Sequence, residues 1–136
     1  MNARTHRVKL NLSPLDFPSI MGLGQSTVAY RTEPPYMANN NVVLAITNQY
    51  ILIDMDTNKE NEVLTVQSVY EIPPNEIKSR EDVYEFYKDA LLGLNEAFQY
   101  VGTQLPTLPR ISFPNQPIET YQREIDSVFN LLNSRN

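Results

Sequence analysis

The segments VVLAITNQYILIDM (42–55), DTNKEN (56–61) and EVLTVQSVYEI (62–72) follow one another without interruption. The first is dense in β-branched and aromatic residues, the composition of a strand. The second is turn chemistry. The third alternates, with Leu64, Val66, Tyr70 and Ile72 on one face and Thr65, Gln67 and Glu71 on the other. Two such runs joined by a polar turn predict an antiparallel hairpin. The first run is long for a single strand, and its polar pair Asn48-Gln49 predicts a bulge or bend there.

Upstream, HRVKLNL (6–12) alternates with Val8, Leu10 and Leu12 on one face, which predicts a strand ending at Ser13-Pro14. Residues 13–25 read as an irregular crossover, and Ser26–Thr32 as a further strand broken by Pro34-Pro35. Downstream, Pro73-Pro74 ends the sheet, and Ser79 with Asp82 three residues later caps a helix. Its apolar stripe is Val83, Phe86, Tyr87, Ala90, Leu91, Leu94, Phe98 and Val101, so a helix is expected over about 80–102. TQLPTLPRISFPNQ (103–116) reads as a connector, and a last helix over 117–133 carries Ile118, Tyr121, Ile125, Val128, Phe129 and Leu132. Strands over 6–72 followed by two helices predict one α+β domain over 1–136. The expected form is a four-stranded antiparallel sheet with a long helix and a shorter C-terminal helix on one face.

The chain has 136 residues, a formal net charge of −5 and no cysteine, which removes disulfides and thiolate chemistry. Its eleven Lys and Arg are scattered, so nucleic acid is not an expected partner. Met1–Leu10 lacks the apolar core of a secretory signal, and no run of about 18 apolar residues occurs, so the expectation is a cytoplasmic protein without membrane insertion.

Few residues suggest catalysis. His6 reads as a solvent-exposed residue of the first strand. Asp54, Asp56, Asn58, Glu60 and Glu62 imitate a calcium loop, but Lys59 and Thr65 stand where that loop needs glycine and a bidentate Glu. Gly22-Leu23-Gly24 lacks the third glycine of a dinucleotide fingerprint. Asp82, Glu85 and Asp89 are explained by helix capping and solvation, and Pro106-Thr107-Leu108-Pro109-Arg110 by a connector. No cofactor, metal or enzymatic activity is expected.

Two irregular segments are unusually apolar: Leu15 to Leu23, and Leu105 to Phe113. Tyr36 and Met37 add to them. Apolar residues in connectors either cover a core or form a partner site. Phe17 and Tyr36 are accordingly candidates for a groove that takes an extended polypeptide.

A family resemblance enters on several motifs. Val66-Gln67 with Tyr70, then Gly102-Thr103, Pro106-Thr107-Leu108, Pro109 and Ile111-Ser112-Phe113, resemble the SecB-type protein-export chaperones, and Val8-Lys9-Leu10-Asn11-Leu12 is compatible with their first strand. The long helix differs, with Phe86-Tyr87-Lys88-Asp89-Ala90 in place of that family's characteristic stretch. The resemblance implies an ATP-independent holdase, a homotetramer built as a dimer of dimers, that holds unfolded or precursor polypeptides in hydrophobic grooves. The export motor would be a further partner. It places Leu105, Pro106, Leu108, Ile111 and Phe113 in or under the groove. The alternative from a different class is a non-enzymatic adaptor of the same fold that binds one folded partner.

Overall fold

The structure is a computed structural model that describes residues 4–14, 30–54, 59–104 and 112–134. Its elements are β1 (Thr5–Pro14), β2 (Tyr30–Thr32), β3 (Tyr36–Ala38), β4 (Asn41–Asp54), β5 (Lys59–Ile72), α1 (Arg80–Gln104) and α2 (Gln122–Asn133). Single turns of 3-10 helix precede the two helices, at Pro74–Glu76 and Ile118–Tyr121. The fold is α+β, with an antiparallel sheet ordered β1-β5-β4-β2 and β3 also paired to β4.

The β4–β5 hairpin is the spine of the sheet. Val42 pairs with Ile72, Leu44 with Tyr70 and Ile46 with Ser68. The register holds through Asn48-Gln49, where a bulge is expected, and shifts instead between Leu52 and Ile53. Pairing resumes at Ile53 with Glu60 and runs on to Asp54 with Lys59, so β5 starts inside the stretch read as turn. The register of β1 on β5 sets His6 opposite Tyr70, Val8 opposite Ser68 and Leu10 opposite Val66.

The strand β3 does not stand out in the sequence. Ala38 pairs with Asn41 across the two residues Asn39 and Asn40, whose φ values are 54° and 66°. Two left-handed residues in succession make the hairpin turn whose twist suits the flanking strands, and Asn tolerates that region better than most side chains.

Alternation sends Val42, Leu44, Ile46, Leu64, Val66 and Ile72 to one face, where all are buried. On them lies α1. It starts at a reciprocal cap: the Asp82 N–H donates to Ser79 Oγ at 3.2 Å, and the Ser79 N–H to Asp82 Oδ2 at 3.1 Å. Val83, Tyr87, Ala90, Leu91 and Leu94 of α1 are fully buried against the sheet. Each such aliphatic side chain contributes about 1.5–3 kcal/mol over its exposed state. The opposite face of the sheet carries a small cluster of Val43, Ala45 and Val69.

The chain after α1 is pinned back by Asn95. Its amide donates to the Phe113 carbonyl at 2.9 Å and accepts the Phe113 N–H at 2.7 Å, as a strand neighbour would. Tyr121 then stacks on Tyr87 with centroids 4.9 Å apart, and its hydroxyl shares a 2.7 Å hydrogen bond with that of Tyr30. The Thr32 hydroxyl donates to Glu124, and Arg80 pairs with Asp126, both at 2.7 Å, so α2 is tied to β2 and to α1.

Tyr87 has no such partner among the described residues; its buried hydroxyl makes no hydrogen bond with them, and burial pushes its pKa well up. An unsatisfied buried hydroxyl costs about 1–3 kcal/mol. Tyr87→Phe is therefore expected to leave stability unchanged or raise it in urea denaturation. Tyr121→Phe, which orphans the Tyr30 hydroxyl, is expected to lower it by about 1 kcal/mol.

Candidate functional site

The strongest surface feature lies between β1 and the flank of α1. Residues 89, 92, 93, 96 and 100 recur at helical spacing on that flank. Opposite them stand His6, Val8 and Leu10 of β1, with Tyr70 of β5 beneath. Together they enclose an open cleft of about 480 Å³. Four large apolar side chains are markedly exposed among the described residues, and three of them line this cleft: Leu10 at 44%, Leu92 at 56% and Tyr100 at 62%. Such clustering is the mark of a partner surface rather than of scattered exposure. Among the described residues β1 is the last strand of the sheet on its outer side. An edge strand presents backbone donors and acceptors to whatever docks there.

Asp89 and Glu96 add negative charge beside the apolar wall, and neither has an ion pair among the described residues. His6, exposed as the sequence suggests, also lines the cleft. Its ring stacks on Tyr70, with centroids 4.2 Å apart and planes 6° from parallel. Its Nε2 lies 2.8 Å from Ser68 Oγ. Burial pulls its pKa below the ordinary value, while the carboxylates of Asp89 and Glu96 push the other way.

A serine hydroxyl against an imidazole is the contact of a nucleophile and its base. Here Ser68 is fully buried on the sheet floor. The backbone of α1 at Gly93 and the His6 ring close over it, so no carbonyl reaches the hydroxyl from solvent. The pair fastens β1 to β5. Among the described residues no three His, Asp or Glu side chains stand where they could hold a metal ion.

Gly93 explains how His6 fits. A Cβ at this position would lie 2.7 Å from His6 Cε1, 3.0 Å from Nε2 and 3.1 Å from Ser68 Oγ. Glycine inside a helix costs about 1 kcal/mol relative to alanine. The sequence carries that cost at the one point where the imidazole needs the room.

The candidate groove residues do not converge. Phe17, Leu105, Pro106, Leu108 and Ile111 lie outside the described residues. Phe113 points inward: it is 6% exposed and meets Tyr30 and Phe98 edge-on. Tyr36 is 55% exposed, but its pairing with Val43 places it on the sheet face away from the helices. Phe113 and Tyr36 therefore belong to opposite sides of the sheet and line no common groove.

The β1–α1 cleft is absent from the sequence reading, although its signals are there. Leu92 and Tyr100 are apolar residues off the buried stripe of α1, Gly93 interrupts an otherwise good helix, and His6 falls on the same strand face as Val8 and Leu10. No helix among the described residues is long and apolar enough to cross a membrane. Comparison with protein-family models, with curated proteins and with solved structures gave no match for the chain in any of the three.

The notch makes a distinct prediction for helix substitution. Gly93→Ala should lower stability by about 1–3 kcal/mol in urea denaturation, because overpacking outweighs the gain in helix propensity. In a His6→Ala background the same change should become neutral or stabilising. A stabilising Gly93→Ala in the parent protein would mean that His6 does not occupy the notch.

Proposed function

We propose that the protein works by binding polypeptide rather than by chemistry, as an ATP-independent holdase whose receiving surface includes the β1–α1 cleft. One observation carries this reading. Leu10, Leu92 and Tyr100 gather beside an edge strand, so apolar contact and backbone pairing are offered at one place. A client in extended form uses both. Its side chains cover the three residues, and its main chain adds to β1.

Magnitudes set the kind of binding to expect. Completing the burial of three half-exposed side chains is worth roughly 1 kcal/mol each. Micromolar affinity corresponds to about −8 kcal/mol. The patch alone falls well short, so strand pairing and more than one site per assembly must supply the rest. Binding of that kind tolerates many sequences, as a holdase requires. The element order also supports the reading. Strands, then a long helix and a shorter one, is an order compatible with the fold that the resemblance to SecB-type chaperones implies.

A second copy of the chain can dock by the same edge, and this favours a homo-oligomer as a companion reading. The two occupants compete for one surface. Light scattering over a range of concentrations separates them, because self-docking releases the cleft on dilution.

Aggregation of a chemically denatured client, followed by light scattering, provides the test. The wild-type protein should suppress it near stoichiometric ratio. Leu92→Ser combined with Tyr100→Ser should lose at least half of that effect while keeping its circular dichroism and melting temperature. Tyr36→Ser, on the other face, should keep it. Equal activity of all three proteins, or loss only in Tyr36→Ser, would remove the cleft from the function.

A further inference from the structure

His6 of β1 touches three residues on two neighbouring elements, β5 and α1. It stacks on Tyr70, meets the buried Ser68 hydroxyl at 2.8 Å and fills the space above Gly93. We propose that His6 is a pH-sensitive latch: its neutral ring seats the edge strand β1, and protonation favours release of that strand. The inference does not depend on what occupies the cleft.

Among the described residues β1 is paired on one side only, with β5, so its seating rests on that ladder and on a few contacts of its inner face. His6 is central to those contacts. Arg4 flanks it, lying 5.5 Å from the centre of the Phe86 ring and 3.6 Å from Glu76. The notch at Gly93 receives one edge of the ring with no room there for a Cβ, while the rest of His6 stays exposed. A charged ring in that position keeps less water than it has on a free strand, and desolvation disfavours the charged form.

The groups around His6 come from every element packed on it. Asp89 and Glu96 of α1 favour the imidazolium. Tyr70 of β5 is neutral in this range, since burial raises its pKa further, and Arg4, just before β1, brings a positive charge near the same ring. Ser68 carries none. Burial is the largest influence, and it lowers the pKa of His6 from the ordinary 6.5.

The direction of the pH effect follows from this. The seated strand holds the His6 proton less tightly than the released strand does. Seating is fully supported above the ordinary pKa and loses support as the pH falls through it to the lower, seated value. The total loss is a factor of ten for each unit separating the two pKa values.

Two NMR measurements on the intact protein test the latch. Titration of the His6 ring gives its seated pKa, expected below 6.5. Hydrogen exchange of the amides of residues 5–11 at pH 7.5 and 5.5, corrected for intrinsic exchange and referred to the amides of β4, gives the seating equilibrium. The protection of β1 should fall at the lower pH towards the factor that the titration sets. His6→Gln keeps a donor for Ser68 but does not titrate, and its ratio should stay constant. An equal fall in His6→Gln, an unchanged ratio in the wild type, or a His6 pKa at or above 6.5 would overturn the latch. The wild-type pKa decides the sign even where the variant does not fold.

Discussion

A helix is about 10–12 Å across, whereas neighbouring strands lie about 4.8 Å apart, so one helix shields two strands well and a third only with its flank. That mismatch governs this molecule. α1 packs chiefly on β4 and β5 and touches β1 less. The buried stripe of α1 and the inner faces of Leu44, Ile46, Leu64 and Val66 form one core. On the β2 and β3 side, α2 and the aromatic group of Tyr30, Tyr87 and Tyr121 complete the cover. On the β1 side no second helix serves among the described residues. The result is a cleft whose walls are the flank of the helix and the inner face of the edge strand.

Several features that look unrelated follow from that uncovered side. Leu92 and Tyr100 are exposed because the helix turns them past the last well-covered strand. His6 fills a place where β1 and α1 approach closely, and Gly93 provides the space for it. Removing the side chain from helix position 93 costs helix propensity; filling it would displace the strand. Ser68 illustrates the same economy of space. A hydroxyl on the buried face of a central ladder needs a partner, and the imidazole opposite supplies it.

Much of the fold is legible in the residues. The β-branched run at 42–55 and the alternation at 62–72 specify the hairpin, and Ser79 with Asp82 marks the start of α1. What the sequence hides is three-dimensional. Asn39-Asn40 is a weaker turn signal than Asn-Gly, so β3 is inconspicuous until the two positive φ values are seen. The bulge falls at Leu52/Ile53 instead of at the polar pair Asn48-Gln49, because backbone groups make the ladder and a polar side chain does not by itself interrupt it. Phe113 illustrates the ambiguity of apolar connectors: hydrophobicity alone does not say which way a side chain points, and the Asn95 amide turns this one inward. The candidate site suffers most from this. Its residues come from a strand and a helix about 90 positions apart, and neither pattern announces the other.

The central claim is that the β1–α1 cleft is an open polypeptide-binding surface in solution. NMR chemical-shift mapping during titration with a reduced, unfolded polypeptide tests it most directly. The account predicts perturbations at the methyl groups of Val8, Leu10 and Leu92, at the Tyr100 ring and at the amides of β1, with the opposite sheet face around Val43 and Tyr36 undisturbed. Perturbations centred on that opposite face, or none at saturating polypeptide, would contradict it.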